Sequence, residues 1–494
     1  MDKIFKVSVF CLVFFLCGGT SLAESTQESG WWENNLDIGG FARGEVHVPA
    51  RAPDESRTWL GLTTDIKGNG YFSDYVSGIV ELRGRMYELT RDTSAHIDIR
   101  EGYLKSSRGL LDFSIGQQII AWGQAEGVNP TDNLCAMDRT IFSSEQDDQR
   151  RGSPAVKANL YAGPFTLTGV AQLFRQSKVL GPFLPETLDI ETANTGLIEF
   201  PANQIIILDE DLPARNFRDA AWAVKCSFNV RMLDLSVSYF DGYSTYPDYT
   251  YNNMLEDRTH PPVKGWVWDR LYEIDQKYDH IHAIGGDFAL ALDPFIIRGE
   301  AAYVDTSFND RKPDEEIPES GVPVTGELYS YPDVKDDREW RQPYFHYVVG
   351  AEWQATQDIA FSAQYSQRYV PDFKSVEELF GGEGVVLSGS DPEAAKREVT
   401  GFNRQTHKLA KKHNELVTFR IGLDFLHETL LVELKGSYWL SYDEYKLKPR
   451  IVYDVNDHLE ITAAASMTFG PDGSQLDMRG RTYNQMFVEL KYSF

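Results

Sequence analysis

The last fourteen residues, 481–494, alternate between apolar and polar side chains, and this period constrains the possible folds more than any other feature of the sequence. Met486, Val488, Leu490, Tyr492 and Phe494 share one face, and Gln485, Glu489, Lys491 and Ser493 share the other. Successive side chains of a β-strand point to opposite faces, so the segment is predicted to be a strand with one apolar and one charged side. A soluble β-sandwich and a membrane barrel can both use such a strand.

The chain ends on an aromatic residue, Phe494, and a second aromatic residue, Tyr492, stands two places earlier. This ending resembles the C-terminal strand of Gram-negative outer-membrane β-barrels. The resemblance implies that the strand closes a barrel and that the barrel-assembly machinery is a partner of this strand.

The same alternation recurs throughout the chain, in pairs of stretches separated by tight turns. The paired strands are predicted at 154–161 with 165–175, 218–230 with 232–240, 278–292 with 295–304, 344–355 with 359–370, 416–426 with 430–442, and 445–455 with 459–469. Weaker patterns at 36–47, 57–67, 75–88, 95–105 and 111–121, with the terminal strand, give 18 strands. Because the first two are poorly patterned, 16 strands is the alternative.

Long hydrophilic connections alternate with these tight turns. They cover 122–153, 176–217, 241–277, 305–343 and 371–415. Outer-membrane barrels have short periplasmic turns and long extracellular loops. We therefore predict an all-β fold, a single transmembrane antiparallel β-barrel with both chain ends in the periplasm.

The first 23 residues have the pattern of a secretory signal peptide. Lys3 and Lys6 precede the apolar run 7–17, and small residues stand before a predicted cleavage point after Ala23. The apolar run is shorter than the roughly 20 residues of a membrane-spanning helix. The signal leaves 24–494 as the barrel, and the predicted location is the outer membrane of a Gram-negative bacterium, with its lipid as a partner.

Composition excludes several other functions. A formal net charge of −26 argues against binding to nucleic acid, and an aromatic content of 13% suits interfacial rings around a wet barrel. Catalytic and cofactor motifs are missing from the sequence, so neither an enzyme nor a cofactor is predicted. His280 and His282 share a strand face, but the sequence offers them no third ligand, and no metal site is predicted. A disulfide between Cys135 and Cys226 is not expected, because one lies in a loop and the other on a lipid-facing strand face.

Residues 116–134, with 101–104 before them, resemble a motif of porin-like outer-membrane barrels of largely unknown function, akin to alginate-export proteins. In that family a Gly-Arg-Gln strand end leads into a Trp-Gly turn and an Asn-Pro-x-Asp loop. Here Trp122 and Gly123 are followed by Asn129-Pro130-Thr131-Asp132, but Gln117 stands where the family has arginine. Any role of that arginine therefore does not carry over.

The connection that begins at Trp122 is a candidate pore constriction. It carries the acidic residues Glu126, Asp132 and Asp138 and the basic residues Arg139, Arg150 and Arg151. If the loop folds inward, these opposite charges face each other and create a transverse field in the pore. Alternatively, the segment caps the strand end and its charges pair on the surface.

Basic residues at predicted inward positions form a candidate basic wall. They are Arg83, Arg85, Arg298, Arg420, Lys435, Lys446, Lys448, Arg450 and Lys491. Such a wall offers anionic solutes a series of weak sites. Because Asp424, Glu433, Glu460 and Glu489 are interspersed, simple pairing across strands is the favoured alternative.

Together these features predict an outer-membrane channel for passive diffusion of small hydrophilic solutes, with anionic solutes as a candidate class. One alternative is export of an acidic polysaccharide, which the family resemblance implies. Another is a surface-binding or adhesion barrel whose loops plug the lumen.

Overall fold

Eighteen antiparallel strands form one sheet that closes on itself. The computed structural model describes residues 35–50, 58–87, 89, 94–178, 204–257, 270–305, 328–330, 342–379, 400–401, 403–472, 474, 476–477, 480 and 484–494. The barrel strands are β1 (Leu36–Pro49), β2 (Trp59–Ser73), β3 (Val76–Tyr87), β4 (Ser94–Arg108), β5 (Leu111–Gln118), β6 (Ser153–Ala162), β7 (Phe165–Gln172), β8 (Ala221–Val230), β9 (Leu233–Tyr243), β10 (His280–Leu292), β11 (Phe295–Asp305), β12 (Tyr344–Thr356), β13 (Ile359–Tyr369), β14 (His413–Phe425), β15 (Leu430–Trp439), β16 (Glu444–Asn456), β17 (Leu459–Phe469) and β18 (Gln485–Ser493).

The barrel closes between its first and last strands. β1 and β18 pair antiparallel from Phe41 opposite Ser493 to Pro49 opposite Gln485. Phe494 extends this ladder, because its backbone N–H and C=O both bond Gly40 at 3.0 Å. The prediction of 18 strands is confirmed, including the two poorly patterned N-terminal strands. The predicted signal peptide, residues 1–23, lies outside the described residues.

The two ends of the barrel differ. At one end, seven connections have two residues and the eighth, 426–429, has four. The long connections leave the opposite end, where strands at 204–211, 270–277, 248–257 and 328–330 build a separate four-stranded sheet in that order. Among the described residues, no helix has the length and apolar character needed to cross a bilayer.

The period of two separates an apolar exterior from a charged interior. On β18, Met486, Val488, Leu490 and Tyr492 are 50–61% exposed, whereas Glu489 is buried inside. Aromatic side chains that point outward contact each other near both ends of the barrel. Examples are the Phe295–Trp353 pair beside the short turns and the Tyr303–Phe345 pair at the other end. Paired aromatic rings at both ends of an apolar band are the girdles of a membrane barrel.

Strand β5 ends three residues earlier than predicted, at Gln118. Gly116 has a φ of +136°, and the backbone N–H of Ile119 donates to the Glu101 carboxylate at 2.9 Å instead of continuing the ladder. The chain therefore leaves the barrel wall before Trp122, and the connection to β6 starts at residue 119.

Candidate functional site: a charged lumen crossed by one loop

The connection 119–152, which we call the lumen loop, runs inside the barrel. Its first part carries the apolar side chains Ile120, Trp122 and Leu134, which are buried in one cluster with inward residues of β6 to β11. Those wall residues are Ala155, Val170, Ala223, Phe240, Ile281, Ala283, Ala302 and Val304. Burial of apolar surface therefore holds this part of the loop against one side of the lumen.

Glu300, an inward residue of β11, is the main polar anchor of the same part of the loop. Its carboxylate accepts hydrogen bonds from the backbone N–H groups of Gln124, Ala125 and Thr131, at 3.2, 3.3 and 2.6 Å. The Thr131 hydroxyl donates a fourth bond at 2.8 Å. One buried carboxylate thus satisfies four donors of a segment that has no regular secondary structure.

Glu126 extends from the loop to three wall strands, β11, β13 and β14. The hydroxyl of Ser362 on β13 donates to its carboxylate at 3.0 Å. The guanidinium groups of Arg298 on β11 and Arg420 on β14 lie 3.8 and 4.0 Å from it. The Glu126 side chain is 36% exposed, so this group of charges faces water in the lumen.

Asp148, near the other end of the loop, binds the opposite wall. It accepts bonds from Arg43 on β1 at 2.6 Å and from Arg83 on β3 at 2.7 Å. All three side chains are at most 5% exposed. Burial alone would raise the pKa of Asp148, but the two guanidinium groups hold this pKa well below its usual range.

The same end of the loop also contacts the last strand. The Ser144 hydroxyl donates to Glu489 at 2.7 Å, and Lys491 donates to Glu145 at 3.0 Å. Glu489 and Lys491 lie on β18, next to β1 in the closed sheet. Residues 144–148 therefore bridge the seam between the first and last strands.

The remaining charged loop residues named from the sequence, Asp138, Arg139, Arg150 and Arg151, have direct partners other than one another. Asp138 pairs with Lys178 at 3.4 Å and Arg139 contacts the Tyr246 hydroxyl. Arg150 pairs with Asp147, and Arg151 donates to a backbone carbonyl at residue 176. The direct partners of these four residues are therefore Lys178, the Tyr246 hydroxyl, Asp147 and a backbone carbonyl, and the transverse field stays a prediction.

Asp132 stabilises the bend of the loop. Its carboxylate accepts hydrogen bonds from the backbone N–H groups of Trp122 and Cys135, at 3.3 and 3.4 Å. Burial raises the pKa of Asp132 to about 6, and these two hydrogen bonds limit the rise. Its protonation state therefore changes close to neutral pH.

Part of the predicted basic wall is covered by the loop. Arg83 is 5% exposed and also binds Asp65 and Glu81, and Arg85 donates to the backbone carbonyl of Asp148. Arg83 thus pairs with Asp65 across strands, and both arginines also hold the loop. Lys491 pairs with Glu145, as described above.

The C-terminal part of the predicted wall differs, because its cations line up. Arg420 on β14 stands opposite Lys435 on β15, and Lys435 stands opposite Lys448 on β16. In the next row, Glu433 binds Arg420 and Arg450 and lies 3.2 Å from Lys435. Lys446 continues the same inward face of β16. One carboxylate therefore sits among three cations, and like charges directly opposite each other in a sheet are destabilising.

Sequence reasoning missed Glu300 and the apolar lumen wall. Inward positions of a water-filled barrel are normally polar. Small apolar residues at these positions, such as Ala155, Val170, Ala223 and Ala302, were the available signal that a segment covers this wall. Of the cysteines that the structure describes, Cys135 and Cys226 are both free.

A closed antiparallel barrel with an apolar exterior, two aromatic girdles and a charged lumen belongs to the architectural class of transmembrane β-barrels. Solved structures with distantly similar architecture include the Salmonella typhi OmpF complex with daunomycin, with a TM-score of 0.40, 11% identity, and coverage of 93% of this chain and 98% of that one. A mutant of the Rh. blastica porin has a TM-score of 0.36 and 10% sequence identity, and the match covers 93% of this chain and 100% of that one. A loop-deletion mutant of OmpT, an outer membrane protein of Vibrio cholerae, has a TM-score of 0.37 and 9% sequence identity, and the match covers 93% of this chain and 99% of that one. No family model and no curated protein sequence matches the chain.

Proposed function

We propose that this protein is an outer-membrane channel for passive diffusion of small hydrophilic solutes, and that the lumen loop narrows its pore and favours anions. The observation that carries the proposal is the loop's attachment to both sides of the lumen. Glu126 contacts β11, β13 and β14, whereas Asp148 contacts β1 and β3. β2 lies between β1 and β3, and in the ring of 18 strands β11 is nine strands away from β2. The two sets of contacts therefore lie on opposite sides of the barrel.

The preference for anions rests on the row of Arg420, Lys435 and Lys448. Lys435 is 46% exposed, so its charge is accessible from the lumen water. The row retains an unfavourable arrangement of like charges that a passing carboxylate or phosphate would relieve. Passage requires sites that bind weakly enough to release the solute, and partly screened surface cations meet this condition.

Planar-bilayer recordings of the full-length protein test the channel. We expect stepwise current increments in KCl, and in a salt gradient a reversal potential that indicates chloride preference over potassium. A protein that inserts but carries no current would contradict the proposal and would favour the plugged, surface-binding alternative.

A pair of lysine variants tests the anion preference. Lys435→Gln removes one charge from the row and should shift the reversal potential toward cation preference. Lys67→Gln is the matched control, because Lys67 is also inward, is 45% exposed, and lies outside the row on β2. Equal shifts in both variants would mean that overall lumen charge, and not the row, sets the selectivity.

Export of an acidic polysaccharide, and recognition of β18 by the barrel-assembly machinery, remain predictions from the sequence.

A further inference from the structure

Two imidazoles and one carboxylate meet where β9 and β10 reach the long-loop end of the barrel. The strand register places Asp241 opposite His282 and Tyr243 opposite His280. One ligand atom each from Asp241, His280 and His282 lies within 4.8 Å of the others. The register thus supplies the third residue that the sequence alone did not offer to the two histidines.

The cluster lies on the outside of the barrel. Ile281 and Ala283 are buried in the lumen cluster, so the alternating residues His280 and His282 point outward. Ile284, on the same outward face, is 62% exposed. The side chains of His280, His282 and Asp241 are 23%, 25% and 35% exposed. His282 stands opposite Asp305, beyond the girdle residue Tyr303, so the cluster lies at the water-facing edge of the apolar band.

The distances suit a transition-metal ion. One carboxylate oxygen of Asp241 lies 3.0 Å from His280 Nε2, and the other lies 3.7 Å from His282 Nδ1. Tetrahedral zinc with bonds of about 2.0–2.1 Å places neighbouring ligand atoms about 3.3 Å apart. The two observed separations fall on either side of this value. The Tyr239 hydroxyl lies 3.0 Å from His282 Nδ1 at the edge of the cluster.

We propose that Asp241, His280 and His282 form a binding site for a first-row divalent transition metal such as Zn²⁺, Ni²⁺ or Cu²⁺. Imidazole nitrogen favours these ions, whereas Ca²⁺ and Mg²⁺ prefer oxygen ligands alone. Three protein ligands leave a fourth position for water. The bound ion links β9 to β10 at the base of the connection 244–279.

Metal binding to the full-length, tag-free protein in detergent tests the site. After treatment with a chelator, equilibrium dialysis against Zn²⁺ should give one ion whose binding depends on this cluster. Co²⁺ should give the visible absorption of a site with nitrogen ligands. Because loss of an outer-shell partner alone weakens metal sites by about 10–100-fold, His282→Ala and Asp241→Asn should each weaken binding by at least about 100-fold.

His96→Ala is the matched control. His96 lies 2.8 Å from Asp98, which makes it an exposed His–Asp pair with a single imidazole. This variant should bind Zn²⁺ as the parent protein does. Unchanged binding in His282→Ala and Asp241→Asn, or equal loss in His96→Ala, would overturn the proposal. Heat-modifiable gel mobility reports whether each variant forms the barrel, and His280→Gln provides a third, more conservative removal of a ligand.

Discussion

Removal of the Glu300 carboxylate should release the first part of the lumen loop. The two bonds from Thr131, at 2.6 and 2.8 Å, are the shortest of the four that Glu300 accepts, and Thr131 is buried. Each buried donor left without a partner costs about 1–3 kcal/mol. Glu300→Ala leaves at least these two, so the loss is about 2–6 kcal/mol.

The lower limit already predicts a measurable effect. Since about 1.4 kcal/mol corresponds to a factor of ten, a loss of 2 kcal/mol raises the undocked fraction of the loop about 30-fold. The first part of the loop contains Glu126, so a glutamate-specific endoproteinase should cleave after Glu126 when this part is undocked, at a rate that follows the undocked fraction when docking is fast. We therefore expect about 30-fold faster cleavage after Glu126, together with larger and noisier single-channel currents.

Glu352→Ala is the matched control for this experiment. Glu352 is an inward carboxylate on the neighbouring strand β12, and its hydrogen bond comes from Arg298 at 2.9 Å. Cleavage of this variant should resemble that of the parent protein. If Glu300→Ala is cleaved no faster than Glu352→Ala while both form the barrel, the view that Glu300 anchors the loop is refuted.

Three further perturbations test other attachments of the loop. Asp148→Asn leaves Arg43 and Arg83 without their shared counter-charge, and breaking a buried pair costs about 3–5 kcal/mol, so protection from trypsin at Arg150 should be lost. Trp122→Ala removes a buried ring from the apolar cluster, a change that costs about 3–5 kcal/mol, and should also give noisier currents than the parent channel. Because the pKa of Asp132 is raised from 3.8 to about 6 in the docked loop, docking binds a proton and strengthens as pH falls from 7 to 5. Current noise should decrease over that range, and Asp132→Asn should abolish the change; a pH effect that persists in this variant would assign it to another group.

The strands could be predicted from the sequence because the alternation of side chains that marks a strand lies within that strand's own residues. Hydrocarbon outside requires an apolar residue at every second position of each strand, whatever its neighbours are. Thus even β1 and β2, with weak patterns, were located correctly. Their ends were less certain, because β5 stops where Glu101 captures the N–H of Ile119, a contact between strands.

The path of the lumen loop could not be predicted in the same way. Its partners are distant in sequence: Thr131 binds Glu300, and Ser144 binds Glu489. The sequence therefore predicted that the loop charges face one another in the pore or pair on the surface, and it did not point to these wall residues. The third residue beside His280 and His282 was hidden for a related reason, since Asp241 reaches them only through the register of β9 and β10.

The attachment of residues 144–148 to both β1 and β18 has a consequence for how the cylinder is completed. A backbone ladder joins the two strands along their shared edge, and Arg43 and Lys491 also reach the same short segment from either side of that edge. The free energy of barrel closure therefore includes contacts made inside the lumen. Before the lumen loop has docked, the pairing of the first and last strands lacks these contacts and is less stable. Docking of the loop in the lumen and closure of the barrel are therefore thermodynamically coupled.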